Sequence, residues 1–329
     1  MINLEEYIKI ECEEISKVGF LVSEVFSNAY FARNNRIAYE TEQKSMWKYI
    51  DSHHDKRLNK IIDVLLGSKL TEHEFELLNK LFEKFRNFSK QNKLPFSIKN
   101  ASIFRALFQK RVIKSLIGNK NNLNIIEIGP GSGWLSSLLY IDNYNVFSIE
   151  NTQSHYCFQS KLFSSIAKNK FSDLAKKTHV KFSNLNHLPW WKICKPGFTM
   201  PKQDIVTSNH MIQECSVWAV HFYISMVNRL LKEDGLWVIE GAGAGYIGGP
   251  TLEFLKEETR KHGFNFYDIS DKFPKNDGIY VLSKNKIELT SQYKPIDINL
   301  DYFSKKFHEI KIDGLLSSGE FLEFANIPH

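Results

Sequence analysis

No stretch of this chain strings together the roughly 18 to 20 apolar residues that a membrane-spanning helix requires, and the opening residues Met1 to Glu6 lack the basic start and apolar run of a secretory signal. Both absences lead to the expectation of a cytoplasmic protein with no membrane span. Cysteine is scarce. Cys12, Cys157, Cys194 and Cys215 lie far apart and form no C-x-x-C pair, which argues against a zinc knuckle or a disulfide framework and reads as free thiols. Blocks of like charge are missing too. The 43 Lys and Arg set against 37 Asp and Glu give a scattered net charge of +6, a balance that permits an anionic partner without demanding one. A nucleic-acid partner is therefore not expected, and a homo-oligomer is compatible with everything in the composition. Internal repeats and low-complexity segments are absent as well. The abundance of Lys, Asn and Ile suits an AT-rich bacterial genome.

What is present is the composition of an ordinary folded enzyme. Hydrophobic residues make up 43% and charged residues 24% of 329 positions, enough for one large domain with additions. Residues 1–100 read as a helical N-terminal region, because apolar residues recur at helical spacing: Leu4, Ile8, Ile15, Val18 and Phe20, then Ile61, Ile62, Val64, Leu65 and Leu66. Thr71 is placed to cap a helix whose first turn is acidic. A further helix is expected from Ala101 to Ile117, stopping at Gly118.

From Leu123 the texture changes to short apolar strands alternating with helical segments, the pattern of a mostly parallel sheet covered on both faces. Seven strands are expected: 124–128, 145–149, 180–184, 205–208, 236–240, 264–269 and 279–283. The fold class is thus α/β, a Rossmann-like seven-stranded sheet over residues 101–285 behind a helical front. Residues 286–329, with Tyr293, Ile296, Ile298 and Phe303 in a mixed pattern, form a C-terminal extension of unassigned structure.

The first strand runs into a turn with glycines at Gly129, Gly131 and Gly133, interleaved with Pro130 and Ser132, and then into a helix. Close approach of a ligand to backbone needs residues without a Cβ. A dinucleotide fingerprint would place its third glycine at position 134, where this chain has Trp134. Glu127 precedes the turn, and Glu150 ends the next strand, where such folds hold a ribose. A carboxylate accepts two hydrogen bonds at once and so can grip a cis-diol. The alternative is a tight strand-to-helix connection without a ligand.

Glu127 with Gly129, Gly131 and Gly133 resembles the first motif of class I S-adenosylmethionine-dependent methyltransferases. The resemblance covers roughly 101–284 and implies S-adenosyl-L-methionine as cofactor. It implies that Glu127 faces the methionine amino group, that Gly129, Pro130, Gly131, Ser132 and Gly133 line the cofactor, that Glu150 holds the ribose, and that Asn151 lies near the adenine edge. It also implies an adenine contact after the third strand, for which Asn184 or Asn186 is available, and it puts Asn209, ending the fourth strand, in the cofactor set.

In open parallel sheets the ligand lies beyond the carboxyl ends of the strands, so the polar text from Thr207 to Glu214 should face the transferable methyl. If a helix begins near Asn209, His210 and Glu214 stand at i and i+4 on one face, with His221 returning to nearly the same face. Methyl transfer to an alcohol needs its proton removed. Histidine titrates in the right range for a base, and Glu214 would orient the ring. His210 could instead cap the helix or pack beside the sheet. A metal site at His210 and Glu214 lacks a third ligand at a recognised spacing, and no metal is expected. The pair Trp190 and Trp191 and the glycine-rich run from Gly241 to Pro250 flank the same edge and are candidates for acceptor contacts.

The helical front, the glycine motif and Asn209, His210 and Glu214 together resemble bacterial sugar O-methyltransferases. This implies O-methyl transfer to a small-molecule or glycan acceptor. Rival readings are another natural-product acceptor, a tRNA or a protein, and, from a different class, a scaffold that kept the fold without the chemistry. An intact Glu127, glycine turn and Glu150 argue against the last.

Overall fold

A computed structural model describes residues 2–19, 71–92, 100–118, 120–176, 181–242, 250–272 and 278–287. The helical segment expected around Ile61 to Leu66, Phe20, Val180, the glycine run 243–249 and the tail from 288 lie outside the described residues.

The front of the chain is helical. In α1 (Leu4–Val18) the side chain of Asn3 accepts from the Glu6 N–H, and Gly19 closes the helix with φ 96°. Its buried face is Leu4, Tyr7, Glu11 and Glu14, not the aliphatic stripe of Ile8, Ile15 and Val18, which is only partly covered. Two glutamates can occupy that face because each has a partner: Trp190 Nε1 donates to Glu11 at 2.7 Å and Lys17 to Glu14 at 2.9 Å. Before α2 (Glu72–Asn92), Thr71 and Glu74 form the reciprocal cap. Thr71 Oγ1 accepts from the Glu74 N–H at 3.2 Å, and Glu74 Oε2 accepts from the Thr71 N–H at 2.9 Å. Then α3 (Asn100–Ile117) ends at Gly118, φ 63°, as its sequence leads one to expect.

Eight strands follow, one more than expected: β1 (Asn124–Ile128), β2 (Asn145–Glu150), β3 (Phe171–Asp173), β4 (Leu185–Pro189), β5 (Gln203–Asn209), β6 (Leu231–Glu240), β7 (Asn265–Asp268) and β8 (Ile279–Ser283). They make one sheet in the order β3-β4-β2-β1-β5-β6-β8-β7. Pairings are parallel except those of β8, which runs antiparallel to both β6 and β7. The helices α4 (Trp134–Ile141), α5 (Gln153–Ala167), α6 (Trp190–Ile193), α7 (Val217–Leu230) and α8 (Leu252–Lys261) complete the element order. The architecture is the Rossmann-like α/β sheet.

The expected strand at 180–184 is displaced. Residues 181–184 are extended loop, and the strand begins at Leu185. Its interior holds Asn186 and His187, both fully buried, so no apolar run marks it. Asn186 closes the preceding loop by accepting from the Ser183 N–H at 2.7 Å and donating to Val146 O at 3.1 Å.

The chain winds outward from β1 to β2, then crosses to β5 on the other side of β1. In open sheets of this kind such a reversal marks where a ligand is held, beyond the carboxyl ends of the strands, here β1 and β5. The helical front packs onto the same core. Ring centroids lie 5.0 Å apart for Tyr7 and Tyr156 and for Tyr7 and Trp191, and 5.2 Å for Phe85 and Trp134. Across the front, Arg111 of α3 grips Glu74 with two N–H donors at 2.6 and 2.8 Å, both side chains buried.

Removing Arg111 alone leaves a buried, uncompensated carboxylate, so Arg111→Met should cost about 3 to 5 kcal/mol in urea unfolding at neutral pH. Burial pushes the Glu74 carboxyl up, but Arg111 outweighs it and holds it below the usual range. The contribution of the pair is therefore present above the ordinary carboxylate range and lost as pH falls through the folded value. The gap between parent and variant should narrow in acid. A gap independent of pH would refute the assignment.

Candidate functional site at the carboxyl edge

The glycine turn after β1 has three left-handed residues: Gly129, Gly131 and Gly133, at φ 70°, 55° and 76°. They are glycine for different reasons. A Cβ on Gly129 would run into Met211, and one on Gly133 would meet the Phe163 ring at 2.9 Å, whereas the space beside Gly131 is open to 4 Å. Two glycines thus let the chain pack against itself, and the middle one leaves room for something else. The turn is pinned by Gly129 N–H to Ile149 O at 2.9 Å and Gly133 N–H to Pro130 O at 2.8 Å. Ser132 is part of this turn.

Two buried carboxylates flank it. Glu127 in β1 accepts from Ser136 Oγ at 2.5 Å. Glu150, the last residue of β2, accepts on Oε1 from the N–H groups of Asn151 and Thr152 at 2.9 and 2.8 Å, and on Oε2 from Gln159 Nε2 at 2.8 Å. Burial pushes each carboxyl up to about 7 against these donors, and the Glu150 charge raises Glu127 further. Asn151 is fixed beside the edge by the Tyr223 hydroxyl, which donates to its Oδ1 at 2.8 Å.

A third carboxylate, Glu240, ends β6. Here α3 supplies the partners: Arg105 Nη2 donates to Oε1 at 3.1 Å and Gln109 Nε2 to Oε2 at 2.8 Å. His210 Nε2 stands 3.5 Å from Oε1 and also contacts the Arg105 guanidinium. Burial pushes Glu240 up, yet His210, Arg105 and Gln109 outweigh it and hold it down at about 2. The ring of His210 lies over Gly241, where a Cβ would strike it.

Several expectations are corrected. No helix starts at Asn209: β5 runs through it, His210 is left-handed at φ 56°, and α7 begins only at Val217 with Ser216 as cap. Glu214 sits in a single 3-10 turn, so it shares no helical face with His210. The carboxylate beside His210 is Glu240, and His221 faces Glu258 at 3.3 Å. Asn209 does end its strand at the carboxyl edge, as expected, where its side chain donates to Thr207 Oγ1 at 3.1 Å. Asn184 precedes β4 and donates to Asn145, the first residue of β2, at 2.9 Å. It is therefore at the amino edge, roughly 16 Å along the strand from Glu150. Asn186 is consumed in the fold. Trp190 and Trp191 are buried against α1 and face no open space.

Sequence reasoning missed Arg105, Gln109, Glu240, Gln159 and His187. One signal was available: Glu240 ends a buried strand just before a glycine, as Glu150 ends β2. The others are brought in by packing over long sequence separations.

No family model matches the chain, and no curated protein matches it either. Among solved structures, a TehB-like S-adenosylmethionine-dependent methyltransferase from Corynebacterium glutamicum is similar at 14% identity over 55% of this chain and 97% of that one, TM-score 0.38. A magnesium protoporphyrin IX methyltransferase from Synechocystis is similar at 15% identity over 62% and 94%, TM-score 0.40. A glycopeptide N-methyltransferase is similar at 10% identity over 55% and 88%, TM-score 0.39.

Glu127 gives a prediction of sign. Its folded pKa of about 7 lies above the unfolded value, so the folded state holds the extra proton and stability falls as pH rises from about 4.5 to about 7. The loss is of the order of 3 kcal/mol at about 1.4 kcal/mol per pKa unit. Glu127→Gln, which keeps a partner for Ser136, should remove most of that slope and leave the variant the more stable at pH 8. Calorimetric melting across this range checks it, and a variant less stable than the parent at pH 8 would overturn it.

Proposed function

We propose that this chain is an S-adenosylmethionine-dependent methyltransferase that methylates a hydroxyl of a small-molecule or glycan acceptor of sugar type, with His210 as the base. The observation that carries the reading is the open space beside Gly131 set between two buried carboxylates at one sheet edge. The residues suit the cofactor. A side chain on Gly131 would project into that open space, and Glu150 Oε2, with one donor already on it, retains an acceptor position for a ribose hydroxyl. Glu127, Gly129, Pro130, Gly131, Ser132, Gly133, Glu150 and Asn151 would hold it. The sugar acceptor rests on the resemblance of the sequence motifs.

When bound, the cofactor supplies a methyl on a sulfonium, so a C–S bond breaks as the acceptor O–C bond forms and the hydroxyl proton must leave. His210 stands at the carboxyl edge of β5 to receive that proton. Glu240, held ionised, lies 3.5 Å from its Nε2 and stabilises the imidazolium that results. Arg105 and Gln109 keep the carboxylate in place from α3. Arg105 also occupies the face of Nε2, so an acceptor entering on that side displaces it.

Two variants test the halves separately. Asparagine tolerates left-handed backbone, so Gly131→Asn fills the cradle with little strain. It should reduce S-adenosylhomocysteine binding by more than tenfold in calorimetry. Unchanged affinity would refute the cofactor site. His210→Asn, also suited to its positive φ, should lower methyl transfer to a monosaccharide and nucleotide-sugar panel by roughly a hundred- to ten-thousandfold with binding little changed. Parental turnover in that variant would remove His210 from the chemistry.

A further inference from the structure

Glu150 does not meet the glycine turn directly. The side chain of Gln159, in α5, lies between them and uses its polar atoms in three directions. Its Nε2 donates one hydrogen to Gly131 O at 2.5 Å and the other to Glu150 Oε2 at 2.8 Å, and its Oε1 faces His187 Nε2 at 2.7 Å. Rotating the amide by half a turn would set its oxygen against a carboxylate and a carbonyl, three acceptors together. His187, facing Oε1, completes the other orientation. It is fully buried, stacked on Tyr156 at 3.8 Å, and Tyr156 is in turn tied to Asp173 at 2.8 Å. The Nδ1 of His187 is buried without a partner among the described residues. A bare lone pair there costs less than an orphaned N–H, so the proton sits on Nε2 and donates to the amide.

We propose that Gln159, its amide locked by His187, is the positioning residue that ties the ribose carboxylate Glu150 to the glycine turn and sets the affinity for the cofactor. This rests on the reading of Glu150 as the ribose ligand. The geometry makes cofactor binding depend on the charge of Glu150, because Gln159 supports the ionised form through a charge-assisted hydrogen bond. Burial already holds that carboxyl at about 7. The titratable groups facing it are Glu127 from β1, Cys215 from the turn after β5 and Tyr223 from α7, and burial keeps both the thiol and the phenol neutral near pH 7.

The sign follows. A ligand that needs the ionised carboxylate binds above its pKa and is lost as pH falls through it. Gln159→Met keeps the length of the side chain and removes the donor, which raises that pKa. S-adenosylhomocysteine binding should therefore weaken about tenfold at pH 7 and recover toward the parent near pH 9. His187→Phe keeps the stack on Tyr156 but leaves Gln159 Oε1 buried without its donor, which loosens the amide, and should shift the profile the same way by less. Calorimetry from about pH 6 to about pH 9 reads both, with Glu150→Ala as reference. If Glu150→Ala loses binding while Gln159→Met matches the parent at every pH, the proposal is overturned and the cofactor reading stands. Weakening by one factor at every pH would also overturn it, because packing and not the carboxylate would then be at work. If Glu150→Ala binds like the parent, the cofactor reading itself fails. Should Gln159→Met not fold, His187→Phe decides alone: a shifted profile supports the proposal and an unshifted one ends it.

Discussion

Carboxylates buried at the carboxyl ends of parallel strands are the constraint around which this edge is arranged. Glu127, Glu150 and Glu240 belong to β1, β2 and β6, and all three are almost wholly removed from solvent. Their partners divide them. Glu127 and Glu150 are met by hydroxyl, amide and backbone donors and burial pushes them up to about 7, whereas His210, Arg105 and Gln109 outweigh the burial of Glu240 and hold it down at about 2. One end of the edge is thus a pair of acids poised at neutrality, and the other a fixed anion. Environments that drive like groups apart in this way are the usual means of giving them different tasks.

Two of the groups that hold Glu240 down, Arg105 and Gln109, come from α3. Within three consecutive positions this helix buries Gln109, Lys110 and Arg111, which reach Glu240, Asp142 at 2.6 Å and Glu74 respectively. Buried charges of this kind are tolerated only when paired, so the three contacts specify how α3 lies against the sheet, the 142 turn and α2 at once. Arg105, one turn earlier on the same face as Gln109, is placed at the edge by the same docking. The scattered positive charge of the chain is in this region internal wiring and not a surface for anions.

How much of this could be read from the sequence depends on range. The segment from Asn124 to Glu150 was legible because its signals are local: an apolar strand, glycines at alternate positions, an acid at the next strand end. The expectation failed where a buried position is polar and its partner is distant. In β4, Asn186 bonds to Val146 and His187 to Gln159, so the strand shows no apolar alternation, and the nearby text at 180–184 imitates one. The α1 face failed in the same way, since Glu11 is buried opposite Trp190, 179 positions later. At the site, Glu214 was the obvious partner for His210 by helical spacing. A left-handed His210 ends the strand without starting a helix, and the carboxylate arrives from β6 instead.

The division of the edge also gives the proposed chemistry a direction. A sulfonium ligand brings a positive charge to Glu127 and Glu150, which have no cation of their own among their hydrogen-bond partners, so binding favours their ionised forms at neutral pH and recovers part of what their burial costs. Methyl transfer removes that charge from sulfur and leaves a proton to be taken up. On the proposed reading it passes to His210, beside the one carboxylate of the three that is ionised throughout. Positive charge therefore leaves the end of the edge where Glu127 and Glu150 were held ionised by the ligand and arrives where an anion is already in place. Had Glu240 been left with neutral donors like the other two, the imidazolium would form beside a half-protonated acid and lose that stabilisation. Beside His210 itself, Arg105 and Gln109 from α3 prevent this, and they link the docking of a front helix to the acid–base state of the site.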